Sequence, residues 1–205
     1  MSCFFLLLSA VSVNRFHLLD EALRVLARYS FETLISAEDL AAKVSELGEA
    51  ITRDYKDKDT VFVGILKGSF IFMADLVRKV QLDRLEICFM MVSSYGSGTR
   101  SSGNIIIKKD LENDLEGKHV LIVEDIIDSG NTLTYLKKYL SNRKAASVKV
   151  CTILDKPSRR ETELVPDYRG FEIPDAFVVG YGMDYDEHFR ELPDLCILHM
   201  NKEEA

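Results

Sequence analysis

The sequence is poor in cysteine and carries no surplus of positive charge, and each shortage removes a class of function. Its four cysteines, Cys3, Cys88, Cys151 and Cys196, lie far apart, form no CxxC pair and sit mostly in apolar runs. They read as buried free thiols in a reducing cytoplasm rather than as a disulfide framework or a metal site. Lys and Arg total 26 against 33 Asp and Glu, a net charge of −7. Binding nucleic acid through a bulk field needs the opposite balance, so no nucleic-acid partner is expected, although a local basic pocket for a small anion stays open. The apolar stretch from Cys3 to Val11 is too short to span a bilayer, and no Lys or Arg precedes it as a signal peptide requires. A membrane partner is not expected either. There is no linker, no internal repeat and no GxxxxGK[ST] phosphate loop of the Walker type.

What is present suits one compact unit. The 205 residues are 47% hydrophobic and 29% charged, enough to fill one core and clothe it. Residues 1–30 read as an extension of unknown role, with helical spacing over Leu18 to Tyr29. Three readings of it stay open: packing on the domain, pairing with a partner subunit, or a start codon assigned too early. A domain over residues 31–205 follows. Ser36-Ala-Glu-Asp39 resembles a capping box, and Leu40, Val44, Leu47 and Ile51 make one helical stripe ending near Tyr55. Thr60 to Leu66 reads as a buried strand, Lys67-Gly68-Ser69 as a tight turn and Phe70 to Val80 as a helix. Further strands are predicted at Leu85–Val92, Asn104–Lys108, His119–Glu124, Ser147–Leu154, Phe177–Tyr181 and Leu195–His199, with a helix over Asn131–Leu140. The polar stretch Ser93–Gly103 reads as a lid. Strands alternating with helices in this way predict an α/β fold with a mainly parallel twisted sheet flanked by helices, whose ligands sit at the carboxyl ends of the strands.

One segment carries chemistry. In His119-Val-Leu-Ile-Val-Glu124-Asp125-Ile-Ile-Asp128-Ser129-Gly130-Asn131-Thr132-Leu133, an apolar strand ends in two adjacent acids and then turns into a helix. Gly130 permits a sharp turn, and Ser129, Thr132 and the free amides of the helix start converge on a spot suited to a phosphate. Glu124 and Asp125 are wrong for holding that phosphate but right for the vicinal hydroxyls of a ribose and for a hard Mg2+ ion. Together they point to a ribose phosphate.

This array resembles the fingerprint of the type I phosphoribosyltransferases. Leu66-Lys67-Gly68-Ser69, Ser93-Ser94-Tyr95, Leu154-Asp155-Lys156-Pro157, Ile173 to Asp186 and Phe189-Arg190-Glu191-Leu192 narrow the resemblance to the hypoxanthine-guanine branch, over about Leu34 to His199. The resemblance implies the type I fold with a small hood region, and transfer of phosphoribose from phosphoribosyl pyrophosphate to a 6-oxopurine base. It implies Asp128 as the proton partner at purine N7, Glu124 and Asp125 on the ribose hydroxyls directly or through Mg2+, and Asp128, Ser129, Gly130, Asn131 and Thr132 around the 5′-phosphate. Lys156 would donate to O6, Phe177 would stack on the purine, and the Val178 backbone would meet its edge. Asp184 would be a further Mg2+ contact and Arg190 a pyrophosphate contact. Lys67 and Gly68 would form the pyrophosphate loop, where the family has a non-proline cis peptide. Ser94 and Tyr95 would belong to the lid, and a homodimer or homotetramer is implied, built on the Leu66–Val80 unit. Asp186 and Glu187 read as surface charges, and His119 and His188 have no assigned role. The alternatives are a regulator that binds the sugar phosphate or RNA without turnover, and an enzyme acting on orotate, adenine or xanthine.

Overall fold

The computed structural model describes residues 28–94 and 105–201; residues 1–27 with Cys3, residues 95–104 with Tyr95, where a lid is expected, and residues 202–205 fall outside them. The elements in chain order are β1 (Tyr29–Ile35), α1 (Ala37–Tyr55), β2 (Thr60–Leu66), α2 (Phe70–Val77), β3 (Leu85–Ser94), β4 (Ile105–Lys109), β5 (His119–Ile127), α3 (Asn131–Ser141), β6 (Ser147–Asp155), a 3-10 turn (Pro157–Arg159), β7 (Tyr168–Glu172), β8 (Val178–Val179) and β9 (Leu195–Met200). Six strands form one sheet in the order β4-β3-β2-β5-β6-β7. Every pairing in it is parallel except that of the edge strand β4 with β3. A separate antiparallel sheet, β1-β9-β8, forms the hood.

Alternation along the buried strands builds two cores. Phe62, Leu121, Val123 and Ile153 point to one face, where they meet the stripe Leu40, Val44, Leu47 and Ile51 of α1 and Phe72, Met73 and Leu76 of α2. Their neighbours Val61, Val63, Val120, Ile122 and Val150 point to the other face and pack on Leu133, Leu136 and Leu140 of α3. Successive side chains of a strand emerge on opposite faces, so strands apolar throughout require cover on both sides. The Ser36 hydroxyl caps α1 by accepting from the Asp39 amide at 3.1 Å.

Four expectations needed revision. Tyr29 opens a strand rather than closing a helix: β1 runs antiparallel to β9, and Phe31 and Tyr29 pack edge-on against Phe189 at 5.1 and 5.5 Å. Helix α2 stops at Val77, short of Val80, and the following chain turns toward α1, where the Gln81 amide donates to Thr52 Oγ1 at 3.0 Å. Strand β8 covers only two residues because Tyr181 takes a positive φ of 48° and the chain doubles back. Strand β7, with Arg169, Gly170 and Glu172 in five residues, shows no apolar run, and it adds to the sheet edge beside β6.

The strand order places the site. From β2 the chain crosses through α2 to β3 on one side, and from β5 it crosses through α3 to β6 on the other. Adjacent β2 and β5 are therefore the switch point of the sheet, and the loops leaving their carboxyl ends part to form a crevice. Lys67-Gly68 leaves β2 there, and Glu124-Asp125 lies near the end of β5.

Candidate active site at the switch point

The turn after β5 is shaped by Gly130, whose φ of +83° is a left-handed conformation that side chains resist. A Cβ there would also overlap Thr162 Oγ1. The first amide bonded inside α3 is that of Thr134, donating to the Gly130 carbonyl at 3.0 Å, so the preceding amides have no helical acceptor. These groups border a cavity of about 100 Å3 together with Glu124, Asp128, Ser129 and Thr132. The Asn131 side chain is turned toward Glu161, with Nδ2 donating to Oε2 at 2.7 Å.

A larger cavity of about 420 Å3 opens beside it. Its walls bring together Lys67 and Gly68 from the β2 loop, Asp125 from β5 and Lys156 after β6. The hood side contributes Phe177, Val178, Asp184 and Arg190. Glu124 and Asp125 are sequence neighbours on a strand, so they face opposite ways: Glu124 lines the smaller cavity and Asp125 the larger. Gly68 lies so close to Asp125 that a Cβ would overlap its carboxylate. The peptide between Leu66 and Lys67 is cis.

The acid pair is electrostatically uncomfortable. Burial, then the charge of Asp125, pushes Glu124 well above the usual carboxylate range. Its Oε2 is buried without a hydrogen-bond partner. Burial also pushes Asp125 up to about 6, although the Ile126 amide donates to its Oδ1 at 2.9 Å and Arg190 favours its charged form. The cations opposite are partly engaged. Arg190 pairs with Asp184 at 2.7 Å, and Glu187 bridges Lys67 at 2.9 Å and Arg190 at 3.3 Å. Lys156 has no side-chain partner among the described residues; its amide donates to the Ile127 carbonyl at 2.9 Å. Phe177 is 54% exposed, with Tyr185 edge-on to its ring at 5.7 Å. An aromatic face left to solvent at a cavity wall is a ready stacking surface.

The chain matches the phosphoribosyl transferase domain over residues 30–186. It is 52% identical to the hypoxanthine phosphoribosyltransferase of Escherichia coli K12 over 168 residues, 81% of this chain and 94% of that protein. The chain belongs to the hypoxanthine-guanine phosphoribosyltransferase family. A second relative, the hypoxanthine-guanine phosphoribosyltransferase of Bacillus subtilis, is 51% identical over 82% of this chain and 92% of its own length. Among solved structures, the hypoxanthine phosphoribosyltransferase of Staphylococcus aureus superposes with a TM-score of 0.79 at 47% identity, covering 82% of this chain and 91% of that one. The α/β fold with its mainly parallel sheet is that of the type I phosphoribosyltransferases, and the chain is a pentosyltransferase.

Membership of the family sets the expected site residues against what the structure adds. Glu187, which reads as a surface charge, is the link between Lys67 and Arg190. Arg159 and Arg160, which carry no role in the motif, both bond Asp128, through Oδ1 and the carbonyl respectively, each at 3.1 Å. Their signal was faint: two adjacent arginines just after Lys156-Pro157 look like a solvated turn. His119 bonds Ser147 at 2.8 Å at the strand starts, away from the cavity, and His188 sits in the hood turn by Phe189. The side chain of Ser94 lies outside the described residues; its backbone pairs with Ile105. Cys88, Cys151 and Cys196 are free thiols.

The donor set fits a hard divalent cation. Glu124 Oε2 is an unpartnered buried oxygen, and Asp125 and Asp184 add carboxylates on the larger cavity. No cluster of three acids, His or Cys converges among the described residues. Mg2+ commonly uses one or two carboxylates plus substrate oxygens rather than an all-protein cage, and that is the arrangement available here.

Proposed function

We propose that this chain transfers the 5-phosphoribosyl group from phosphoribosyl pyrophosphate to hypoxanthine or guanine, giving IMP or GMP and pyrophosphate. One observation carries the reading: adjacent acids at the switch point project one carboxylate into each of two neighbouring cavities, one built like a phosphate nest and the other lined with cations and an exposed ring. A ribose spanning both would present its diol to the acids.

In this reading the amides of Ser129 to Thr132 and the positive end of α3 hold the 5′-phosphate. Glu124 and Asp125 hold the ribose hydroxyls. Lys67, Gly68 and Arg190 receive the pyrophosphate, with Arg190 suited to paired contacts on phosphoryl oxygens. Glu124 on the smaller cavity and Asp125 and Asp184 on the larger are the carboxylates that would hold Mg2+, which would neutralise charge on the pyrophosphate. The base stacks on Phe177 with its edge along Val178, and Lys156 donates to O6. Adenine, which offers an amine there, sets donor against donor and is rejected. As N9 bonds to C1 and the bond from C1 to pyrophosphate breaks, Asp128 accepts the proton leaving N7. Ser94 and Tyr95 belong to the lid that keeps water out.

The working unit is the domain expected over residues 31–205, to which Tyr29 and Ser30 of β1 also belong through their pairing with β9, as a homodimer or homotetramer in the cytoplasm, with the residues before Tyr29 of unassigned role. No helix among the described residues is long and apolar enough to cross a membrane. The test is turnover with Mg2+ and phosphoribosyl pyrophosphate on hypoxanthine, guanine, xanthine and adenine. Nucleotide formation from the first two is expected. Fast use of adenine would contradict the role of Lys156, and binding without turnover would point to the regulator instead.

A further inference from the structure

The segment after β6 grips the phosphate turn from behind. Arg160 is nearly buried, is ion-paired with the buried Asp155, and donates its Nε to the Asp128 carbonyl at 3.1 Å. Next to it the Glu161 amide donates to the Ser129 carbonyl at 2.9 Å. The backbone of the turn is thereby held from inside.

Arg159 does something different. It is 46% exposed, and it reaches the Asp128 side chain, with Nε donating to Oδ1 at 3.1 Å. Its Nη1 lies 3.5 Å from Asp175 Oδ2. Asp175 stands two residues before Phe177, so a single guanidinium spans from the turn to the wall that carries the exposed ring. Asp128 Oδ2 carries no hydrogen bond among the described residues. Exposed ion pairs contribute little to stability, so a strap of this kind counts mainly through the geometry it holds.

We propose that Arg159 is a positioning residue for transfer to the base: it fixes one carboxylate oxygen of Asp128, leaves the other free for the purine N7 proton, and ties that carboxylate through Asp175 to the Phe177 wall. The inference rests on the assignment of Asp128 as the N7 proton partner. A carboxylate on an exposed turn otherwise rotates freely, and a proton acceptor works only within hydrogen-bond reach of its proton. The fork of an arginine reaches two carboxylates at once, whereas a lysine ammonium at this position serves one.

The test compares steady-state kinetics and melting temperatures of Arg159→Gln, Arg159→Lys and Asp175→Asn with those of Asp128→Asn. Arg159→Gln is expected to lower kcat about tenfold and raise the KM for hypoxanthine several-fold, with the KM for phosphoribosyl pyrophosphate held within about twofold. Its melting temperature should stay at the wild-type value, because the pair is exposed. Arg159→Lys should recover part of kcat but not the purine KM, and Asp175→Asn should raise the purine KM alone. Two results overturn the proposal. One is unchanged kcat and purine KM in Arg159→Gln while Asp128→Asn is crippled. The other is a KM for phosphoribosyl pyrophosphate that moves in step with kcat, as a slackened phosphate turn would produce. Wild-type turnover by Asp128→Asn is a separate outcome, and it removes the assignment of Asp128 on which the proposal stands.

Discussion

Replacing Asp125 with Asn should make the ligand-free protein more stable and the enzyme inactive. The carboxyl rises from 3.8 to about 6, chiefly through burial. At roughly 1.4 kcal/mol per pH unit, holding that charge withholds about 3 kcal/mol from the folded state at neutral pH. Asn keeps an oxygen to accept from the Ile126 amide, now at 2.9 Å from Oδ1, and removes the charge. The attraction to Arg190 is already contained in that shift; burying the Asn side-chain NH2 offsets part of the gain, which leaves about 1–3 kcal/mol, or roughly 2–12 °C in melting temperature for a chain of this size. The sign follows from proton binding. Between pH 6 and pH 4 the folded wild type holds a proton that the unfolded chain does not, so its penalty fades as pH falls and is full above pH 6. The stability gap between variant and wild type should therefore be widest at pH 7–8 and narrow on acidification below 6. Thermal and urea unfolding from pH 5 to 8 in the presence of a chelator measure it. A variant less stable than wild type at pH 7.5, or a gap that ignores pH, would refute the claim that the acid pair is held at a cost. Adding Mg2+ and phosphoribosyl pyrophosphate should then stabilise wild type and leave the variant unmoved.

Asp128→Asn should depress turnover by roughly 10²–10⁴-fold with affinity for phosphoribosyl pyrophosphate nearly intact, measured by steady-state kinetics and calorimetric binding. Lys156→Ala removes a charged donor contributing about 1.5–3 kcal/mol, so the KM for hypoxanthine should rise roughly 10–100-fold and discrimination against adenine should shrink in base competition. Gly68→Ala drives a methyl into the Asp125 carboxylate; loss of activity with about 1–3 kcal/mol of destabilisation is expected from urea unfolding.

Much of this molecule is legible in its residues because the central strands are buried on both faces. The apolar run Thr60–Leu66 states both its length and its cover, whereas the strand read as His119–Glu124 continues through the acid pair to Ile127, because charged residues mask its end; the helices between the strands carry clear stripes. The hood is harder to read. Tyr29–Ile35 alternates as an edge strand should, but the helical spacing that ends at Tyr29 masks it, and its partner β9 lies more than 150 residues away. Strand β7 is hidden by its charges. The phosphate turn is legible because its chemistry is local, with acids, glycine and hydroxyls in one run. Contacts made across the fold are not: Glu187 between Lys67 and Arg190, and Arg159 on Asp128, depend on separations of 120 and 31 residues that no spacing rule encodes.

The most direct measurement is a crystal structure with IMP or GMP bound. The 5′-phosphate should lie on the amides of Ser129 to Thr132, the ribose hydroxyls against Glu124 and Asp125, and the purine between Phe177 and the Asp128 side. A nucleotide found elsewhere, with the turn after β5 left empty, would contradict the account.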